Sequence, residues 1–185
     1  MTCIAVLRGY GKKLYIAADR RVTDTYGAFE KLPHPKMKKE NGVIIAGTGD
    51  VALLTIILKR FKIPKVIENV DLYIHEILYT KIKQLLLSKN YIAPSGDSKI
   101  DQYDGLTLVV CVKGRLFTID IEKQMQIVEC SIPFATGSGG TYALGSLLTT
   151  PSMEFTTKER LKLALTVASQ VSNGCDDNID ILVED

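Results

Sequence analysis

The sequence predicts an α+β chain in which two antiparallel sheets pack face to face, with a pair of helices on each outer side. Two observations carry this expectation. The elements arrive in the order strands, two helices, strands, two helices and a final strand. Helices therefore come in pairs and not singly between strands, which argues against a doubly wound parallel sheet.

The elements follow from local pattern. Cys3 to Leu7 is a short apolar run ending at Gly9-Tyr10-Gly11, and Leu14 to Ala18 is a second run ending at Asp19. Two such runs joined by a Gly-containing loop read as an antiparallel hairpin. Asp19-Arg20-Arg21 then opens a polar stretch with Gly27 as its turn point, and Pro33-His34-Pro35 is a rigid bend. Lys36-Met37-Lys38-Lys39 starts a strand, and Val43 to Ala46 is another, stopping at Gly47-Thr48-Gly49-Asp50. Asp50 to Arg60 and Asp71 to Ser88 carry apolar residues at helical period, with Pro64 between them. Asn90 to Tyr103 reads as a surface loop. Leu106 to Val112 and Leu116 to Ile121 flank Lys113-Gly114, a tight hairpin signal, and Met125 to Val128 and Phe134 to Thr136 are shorter strands. Gly137-Ser138-Gly139-Gly140 leads into a helix over Tyr142 to Leu148. Thr156 to Val171 is the last helix, with Thr156 or Thr157 as N-cap and Glu159 in its first turn. Ile179 to Val183 closes the chain as a strand.

The 185 residues suit one domain over 1–185, and the 46% hydrophobic and 24% charged content suits a packed core with a polar surface. The net charge of +2 is too small to indicate nucleic acid. No apolar run approaches the roughly 20 residues of a membrane helix. The first residues put apolar side chains before the charges, the reverse of a secretory signal, so the expected compartment is the cytoplasm. Cys3, Cys111, Cys130 and Cys175 are far apart without CxxC spacing, so no zinc site is expected. Cys3 and Cys111 read as small buried hydrophobes.

The chemistry centres on Thr2. A small residue after Met1 favours removal of the initiator methionine, which would leave Thr2 as the new terminus. Its α-amine, with a reference pKa of about 7.7–8.0, can act as a base near neutral pH. A threonine hydroxyl is a poor nucleophile until a base takes its proton. An N-terminal threonine supplies both groups at once. Asp19 ends the second strand at a sheet edge, and Lys36 starts a later one. Gly47 follows Ile44-Ile45-Ala46, where glycine lets a backbone N–H approach a ligand. The loop holding Ser138 precedes a helix and could bind an anion, but it lacks the GxGxxG spacing of a dinucleotide site.

Several short pieces, in order and at nearly the right spacing, resemble the β-subunit family of proteasomes. They are Thr2 through Val6, Ile16-Ala17-Ala18-Asp19, Pro35-Lys36-Met37, Ile45 through Asp50, and Phe134 through Ala143. A terminal helix followed by Ser172-Asn173 completes the set. The likeness runs along nearly the whole chain and is greatest to the bacterial two-component protease subunit that pairs with an ATPase ring. It implies the four-layer αββα sandwich of N-terminal nucleophile hydrolases. It implies Thr2 as nucleophile, Lys36 beside its hydroxyl, and Asp19 pairing with Lys36. It places the Gly47 N–H in an oxyanion hole and Ser138 near the Thr2 amine. The implied activity is threonine-type endopeptidase cleavage of unfolded polypeptides, with no cofactor and a structural monovalent cation left open. The implied partners are identical subunits in hexameric or heptameric rings stacked in pairs, and an ATPase unfoldase. With only Met1 ahead of Thr2, no propeptide is expected.

The chain also departs from the family pattern. Its first hairpin is one residue longer, Arg20-Arg21 is bulkier and more basic than usual, and the segment after Gly47 is shorter. The Asp and Ser often found three apart near the end fall at Ser169 and Ser172, so that aspartate is missing. These departures leave open an inactive ring subunit that only assembles or binds, and a small-amide hydrolase of the same fold. His34 and His75 form no cluster.

Overall fold

A computed structural model describes residues 2–23, 28–88, 105–121 and 126–184. The first strands are β1 (Cys3–Arg8), β2 (Leu14–Asp19), β3 (Arg21–Thr23), β4 (Phe29–Lys31), β5 (Met37–Glu40) and β6 (Val43–Gly49). Helix α1 (Val51–Arg60) follows, then α2 (Val70–Leu72), which runs through a π-helical segment (Tyr73–Leu78) into α3 (Tyr79–Ser88). Strands β7 (Leu106–Val112), β8 (Arg115–Asp120), β9 (Ile127–Glu129) and β10 (Phe134–Gly137) come next. Helices α4 (Gly140–Thr149) and α5 (Thr157–Val171) precede the closing strand β11 (Ile179–Val183).

The strands form two large antiparallel sheets, β10-β1-β2-β11 and β5-β6-β7-β8-β9, and a small ribbon, β3-β4. Successive side chains on a strand point to opposite faces. On β1, Ile4 and Val6 therefore meet Met37, Ile44, Ala46, Val109 and Cys111 of the facing sheet. Cys3, Ala5 and Leu7 point the other way, onto α4 and α5 through Ala143, Leu147, Leu161, Ala164 and Leu165. The outer face of the second sheet packs Val43, Ile45, Leu108 and Val110 against Leu54, Ile57, Ile74, Leu78 and Ile82 from the other helix pair. Three apolar layers between four layers of secondary structure make this an αββα sandwich.

Local chemistry agrees with the element ends. Thr156 and Glu159 form a reciprocal capping box at the start of α5, and the Asp50 side chain accepts from Leu53 N at the start of α1. The two-residue turns Asn41-Gly42 and Lys113-Gly114 have positive φ at both positions, the geometry that matches strand twist in a tight hairpin.

The structure differs from expectation in four places. The polar stretch after Asp19 contains the β3-β4 ribbon, held by stacking of Arg21 over Phe29 at 4.3 Å. The helix expected over Asp71 to Ser88 is widened between Tyr73 and Leu78. Its buried residues Ile74, Leu78, Ile82 and Leu86 recur every fourth position. That spacing drifts off one face of a 3.6-residue helix, and a wider π turn corrects the drift. Helix α4 begins at Gly140, ahead of Tyr142, and β9 is described over Ile127–Glu129. Gly27, the whole Asn90 to Tyr103 loop and Met125 lie outside the described residues.

Candidate active site

Thr2 immediately precedes β1 and Asp19 ends β2, so the first hairpin carries both to one end of its sheet. The register pairs Ile4 with Ala18 and so sets Thr2 near Asp19. Lys36 immediately precedes β5, on the facing sheet. Met37 pairs with Ala46, and β5 goes no further, so Gly47 lies level with Lys36 and past the end of β5. The helix-side loop after β10 brings Ser138, because Cys3 pairs with Gly137.

The structure brings Thr2, Asp19 and Lys36 into direct contact. Thr2 is 1% exposed, and Asp19 and Lys36 are both at 0%. Lys36 Nζ donates to Thr2 Oγ1 at 2.7 Å and lies 3.4 Å from Asp19 Oδ1, and it also donates to the Arg21 carbonyl. The Asp19 carboxylate accepts from Cys3 N at 2.8 Å, Arg21 N at 3.0 Å and Asp176 N at 3.4 Å. Burial pushes the Asp19 carboxyl up from its ordinary value, while Lys36 and the amides of Cys3 and Arg21 pull it back. Burial likewise draws Lys36 below the ordinary lysine value, opposed by the charge of Asp19. A buried pair of this kind is held by its mutual attraction and its hydrogen bonds together.

Ser138 Oγ donates to the Thr2 carbonyl at 3.3 Å and lies 3.8 Å from Cys175 Sγ. Ser138 thus reaches the backbone of Thr2 through its carbonyl. Gly137, at φ 88°, also approaches Thr2: a β-carbon there would fall 2.1 Å from the Thr2 carbonyl oxygen and 3.0 Å from Thr48 Oγ1. The glycine at position 47 also serves packing: a β-carbon there would meet Leu54 Cδ1 of α1 at 2.5 Å, so the missing side chain makes room for the helix.

The two arginines after Asp19 fasten the site. Arg20 forms a bidentate ion pair with Asp180, at 2.7 and 2.6 Å, and its backbone N–H donates to Asp176 Oδ1. Arg21 Nη1 donates to the Asn173 carbonyl at 3.0 Å. Cys175 and Asp176 reach the site without having been expected there from the sequence, whereas Ser169 bonds to the Thr166 carbonyl of its own helix and Ser172 accepts from Gly174 N. His75 is exposed on the helix surface, and His34 Nδ1 donates to the Pro35 carbonyl at 3.2 Å. Among the described residues no group of three or more His, Cys, Asp and Glu is placed to hold a metal ion, and no helix is long and apolar enough to cross a membrane.

A buried lysine-carboxylate pair thus meets the hydroxyl of Thr2 at one end of an αββα sandwich. The fold is that of proteasome-type N-terminal nucleophile hydrolases, as solved structures show. BPH from Thiobacillus denitrificans is 18% identical with a TM-score of 0.75, covering 99% of this chain and 97% of that one, and it has also been solved in complex with epoxomicin. HslV from Trypanosoma brucei is 19% identical with a TM-score of 0.67 over the full length of both chains. Anbu (ancestral beta-subunit) from Yersinia bercovieri is 14% identical with a TM-score of 0.62, covering all of this chain and 81% of that one. No family model matches the sequence, and no curated protein matches it.

Proposed function

We propose that the chain is a threonine-type endopeptidase subunit whose nucleophile is Thr2, freed by removal of Met1. The observation that carries this reading is the 2.7 Å hydrogen bond from Lys36 Nζ to Thr2 Oγ1, made by a lysine buried against Asp19. A cation there favours the ionised hydroxyl and lowers the proton affinity of the neighbouring amine.

In this reading the Thr2 amine takes the hydroxyl proton as Oγ1 attacks the peptide carbonyl carbon. The resulting oxyanion is stabilised by the Gly47 N–H, where one donor contributes roughly 10²–10³ in rate. Collapse breaks the C–N bond, and the leaving amine takes the proton from the α-ammonium. The acyl group is then an ester on Thr2. A water, deprotonated by the same amine, hydrolyses that ester and restores the hydroxyl. Asp19 keeps Lys36 charged and oriented, and Ser138 fixes the Thr2 carbonyl. No cofactor enters these steps.

The fold shared with HslV and with Anbu, a β-subunit by description, supports extending the reading to assembly. The chain, one domain over 1–185, would form hexameric or heptameric rings stacked in pairs in the cytoplasm and degrade unfolded polypeptides delivered by an ATPase.

Intact mass with and without epoxomicin, the compound held by the Thiobacillus protein, tests the site. Loss of Met1 and an adduct on Thr2 are expected, and a Thr2→Ala chain gives neither adduct nor cleavage. The second reading is an inactive ring subunit. It is favoured by the burial of Thr2 at 1% exposure and by the fact that Thr2 has no free amine while Met1 is attached. Retained Met1 with no adduct would put that reading first.

A further inference from the structure

Behind the nucleophile, on the opposite face of β1, two thiols meet. Cys3 follows Thr2 directly, and its side chain points to the helix side with Ala5 and Leu7. Cys175 lies in the segment between α5 and β11 and packs into the same cluster. A β-carbon built on Gly139 would lie 2.5 Å from Cys175 Sγ and 3.1 Å from Cys3 Cβ, so the two cysteines approach each other across the bare face of this glycine. The two thiols lie close enough to shift each other's titration. Cys175 Sγ is also 3.8 Å from Ser138 Oγ, and Ser138 is exposed.

We propose that Cys3 and Cys175 form an oxidisable dithiol that closes to a disulfide with a hydroperoxide and thereby switches off the Thr2 site. The loss of activity rests on the peptidase reading above; the disulfide does not.

The two sulfurs are unequal. The Cys175 thiol is lowered to about 7, first by the hydrogen bond from Cys3 and then by the hydroxyls of Ser138 and Ser172, against burial and the charge of Asp19. The Cys3 thiol is pushed up, first by that same hydrogen bond and then by burial. Cys175, whose sulfur also lies 3.8 Å from the hydroxyl of exposed Ser138, is the one that attacks the peroxide. Its sulfur takes the distal oxygen, the O–O bond breaks, and an alcohol or water leaves. The Cys3 sulfur then attacks the Cys175 sulfenic acid, forming S–S, and the expelled hydroxide takes the Cys3 proton to become water. Two thiols and one hydroperoxide give one disulfide, one alcohol and one water.

Closure has a route to the nucleophile. A disulfide spans about 2.05 Å between sulfurs, shorter than any non-bonded contact of two thiols, so one side must move. β1 is paired along both edges, with β2 and β10. The Cys175 segment is the freer partner, and the next residue is Asp176. The Asp176 N–H reaches Asp19 Oδ2 at 3.4 Å, and its Oδ1 holds Arg20 N at 3.2 Å. Drawing Cys175 toward Cys3 thus shifts the cradle of Asp19, the partner of Lys36.

The test treats the native, full chain with hydrogen peroxide, blocks remaining thiols by alkylation, and reads intact mass and a peptide map. Expected are the loss of two hydrogens, a Cys3–Cys175 cross-link, and alkylated Cys111 and Cys130. Peptide cleavage and epoxomicin labelling should fall on the order of 10²-fold, the scale set by a displacement of about 1 Å at a catalytic group, and return with dithiothreitol. Cys175→Ser and Cys3→Ala chains should keep their own untreated rates in peroxide, while Cys130→Ser should still respond. A sulfinic acid on Cys175 without a cross-link would overturn the proposal, as would a cross-linked chain that labels as fast as the untreated dithiol chain. A cross-link in a chain inactive in both redox states would support the dithiol and count against the Thr2 reading alone.

Discussion

Lys36 Nζ donates to Thr2 Oγ1 across 2.7 Å while its charge is balanced by Asp19 at 3.4 Å, all three side chains being out of solvent. This pairing makes the charge and the nucleophile one unit. Lys36→Met removes the cation and leaves Asp19 buried with its amide donors alone. Breaking a buried pair in this way costs about 3–5 kcal/mol. Uptake of a proton by Asp19, which burial already favours, offsets part of that cost. Adding Asp19→Asn should restore much of the stability, because no buried charge is left. Activity should stay lost in both chains, by the 10²–10³-fold order expected for one preorganised electrostatic group. Urea unfolding and epoxomicin adduct formation read the two effects separately. A Lys36→Met chain as stable as the parent would show that the ion pair contributes nothing to folding.

The residues of this unit were legible in the sequence through the family resemblance, and the local pattern shows why they come together. Thr2 and Asp19 flank a hairpin whose two apolar runs are evident, and Lys36 stands one residue ahead of a strand. Pairing rules then carry them together. The β3-β4 ribbon was not legible, because Arg21, Thr23, Glu30 and Lys31 show no apolar alternation. Its strands are held by tertiary anchors, such as Arg21 on Phe29 and Arg20 on Asp180. Cys175 and Asp176 were hidden for the same reason. They lie in a turn without periodicity, and only the docking of β11 beside β2 brings them to Asp19. The spacing of Gly47 was legible, but its packing against Leu54 on a helix that crosses behind it was not.

Gly137 offers a test of how closely the Thr2 backbone is positioned. Its φ is 88°, and an added β-carbon would sit 2.1 Å from the Thr2 carbonyl oxygen. Gly137→Ala therefore suffers left-handed strain, about 1–2 kcal/mol, and also displaces the nucleophile's own backbone. Gly114→Ala is the matched comparison, with φ 72° and no atom nearer than 3.5 Å. Both chains should lose stability in urea, the Gly137 variant more. Only Gly137→Ala should slow epoxomicin labelling. Equal labelling rates in the two variants would mean that the approach of Gly137 does not set the position of Thr2.

Gly47→Ala tests the close crossing of α1. The new methyl would meet Leu54 Cδ1 at 2.5 Å and Leu106 and Leu108 at 3.3 Å. Overpacking of this kind costs about 1–3 kcal/mol. Leu54→Ala alone opens a cavity at a buried site and should cost about 2–5 kcal/mol. In the double variant the methyl enters space the leucine left, so its cost should fall short of the sum by about 0.5–3 kcal/mol. Urea midpoints of the four chains measure the coupling. Strict additivity would show that the two side chains do not compete for the same space.

Glu184 gives the stability of the fold a definite pH dependence. Its side chain accepts from Gly114 N at 2.8 and 3.0 Å and from Leu14 N at 3.4 Å, with the residue only 4% exposed. Burial raises its pKa above the ordinary 4.5, more than those amides and the charges of Arg8 and Lys39 lower it. The folded chain therefore binds the Glu184 proton more tightly than the unfolded chain does. Where the folded state holds more protons, stability falls as pH rises. The contribution of Glu184 is thus full below pH 4.5 and is lost as pH passes through the raised folded value. Glu184→Gln removes this titration and leaves the other groups in place. The stability of the parent relative to Glu184→Gln should then be greatest at low pH and decline toward neutrality, as read from urea unfolding of both chains at several pH values. A difference that grew with pH would mean that Arg8 and Lys39 outweigh burial and that the charged carboxylate is the favoured form in the fold.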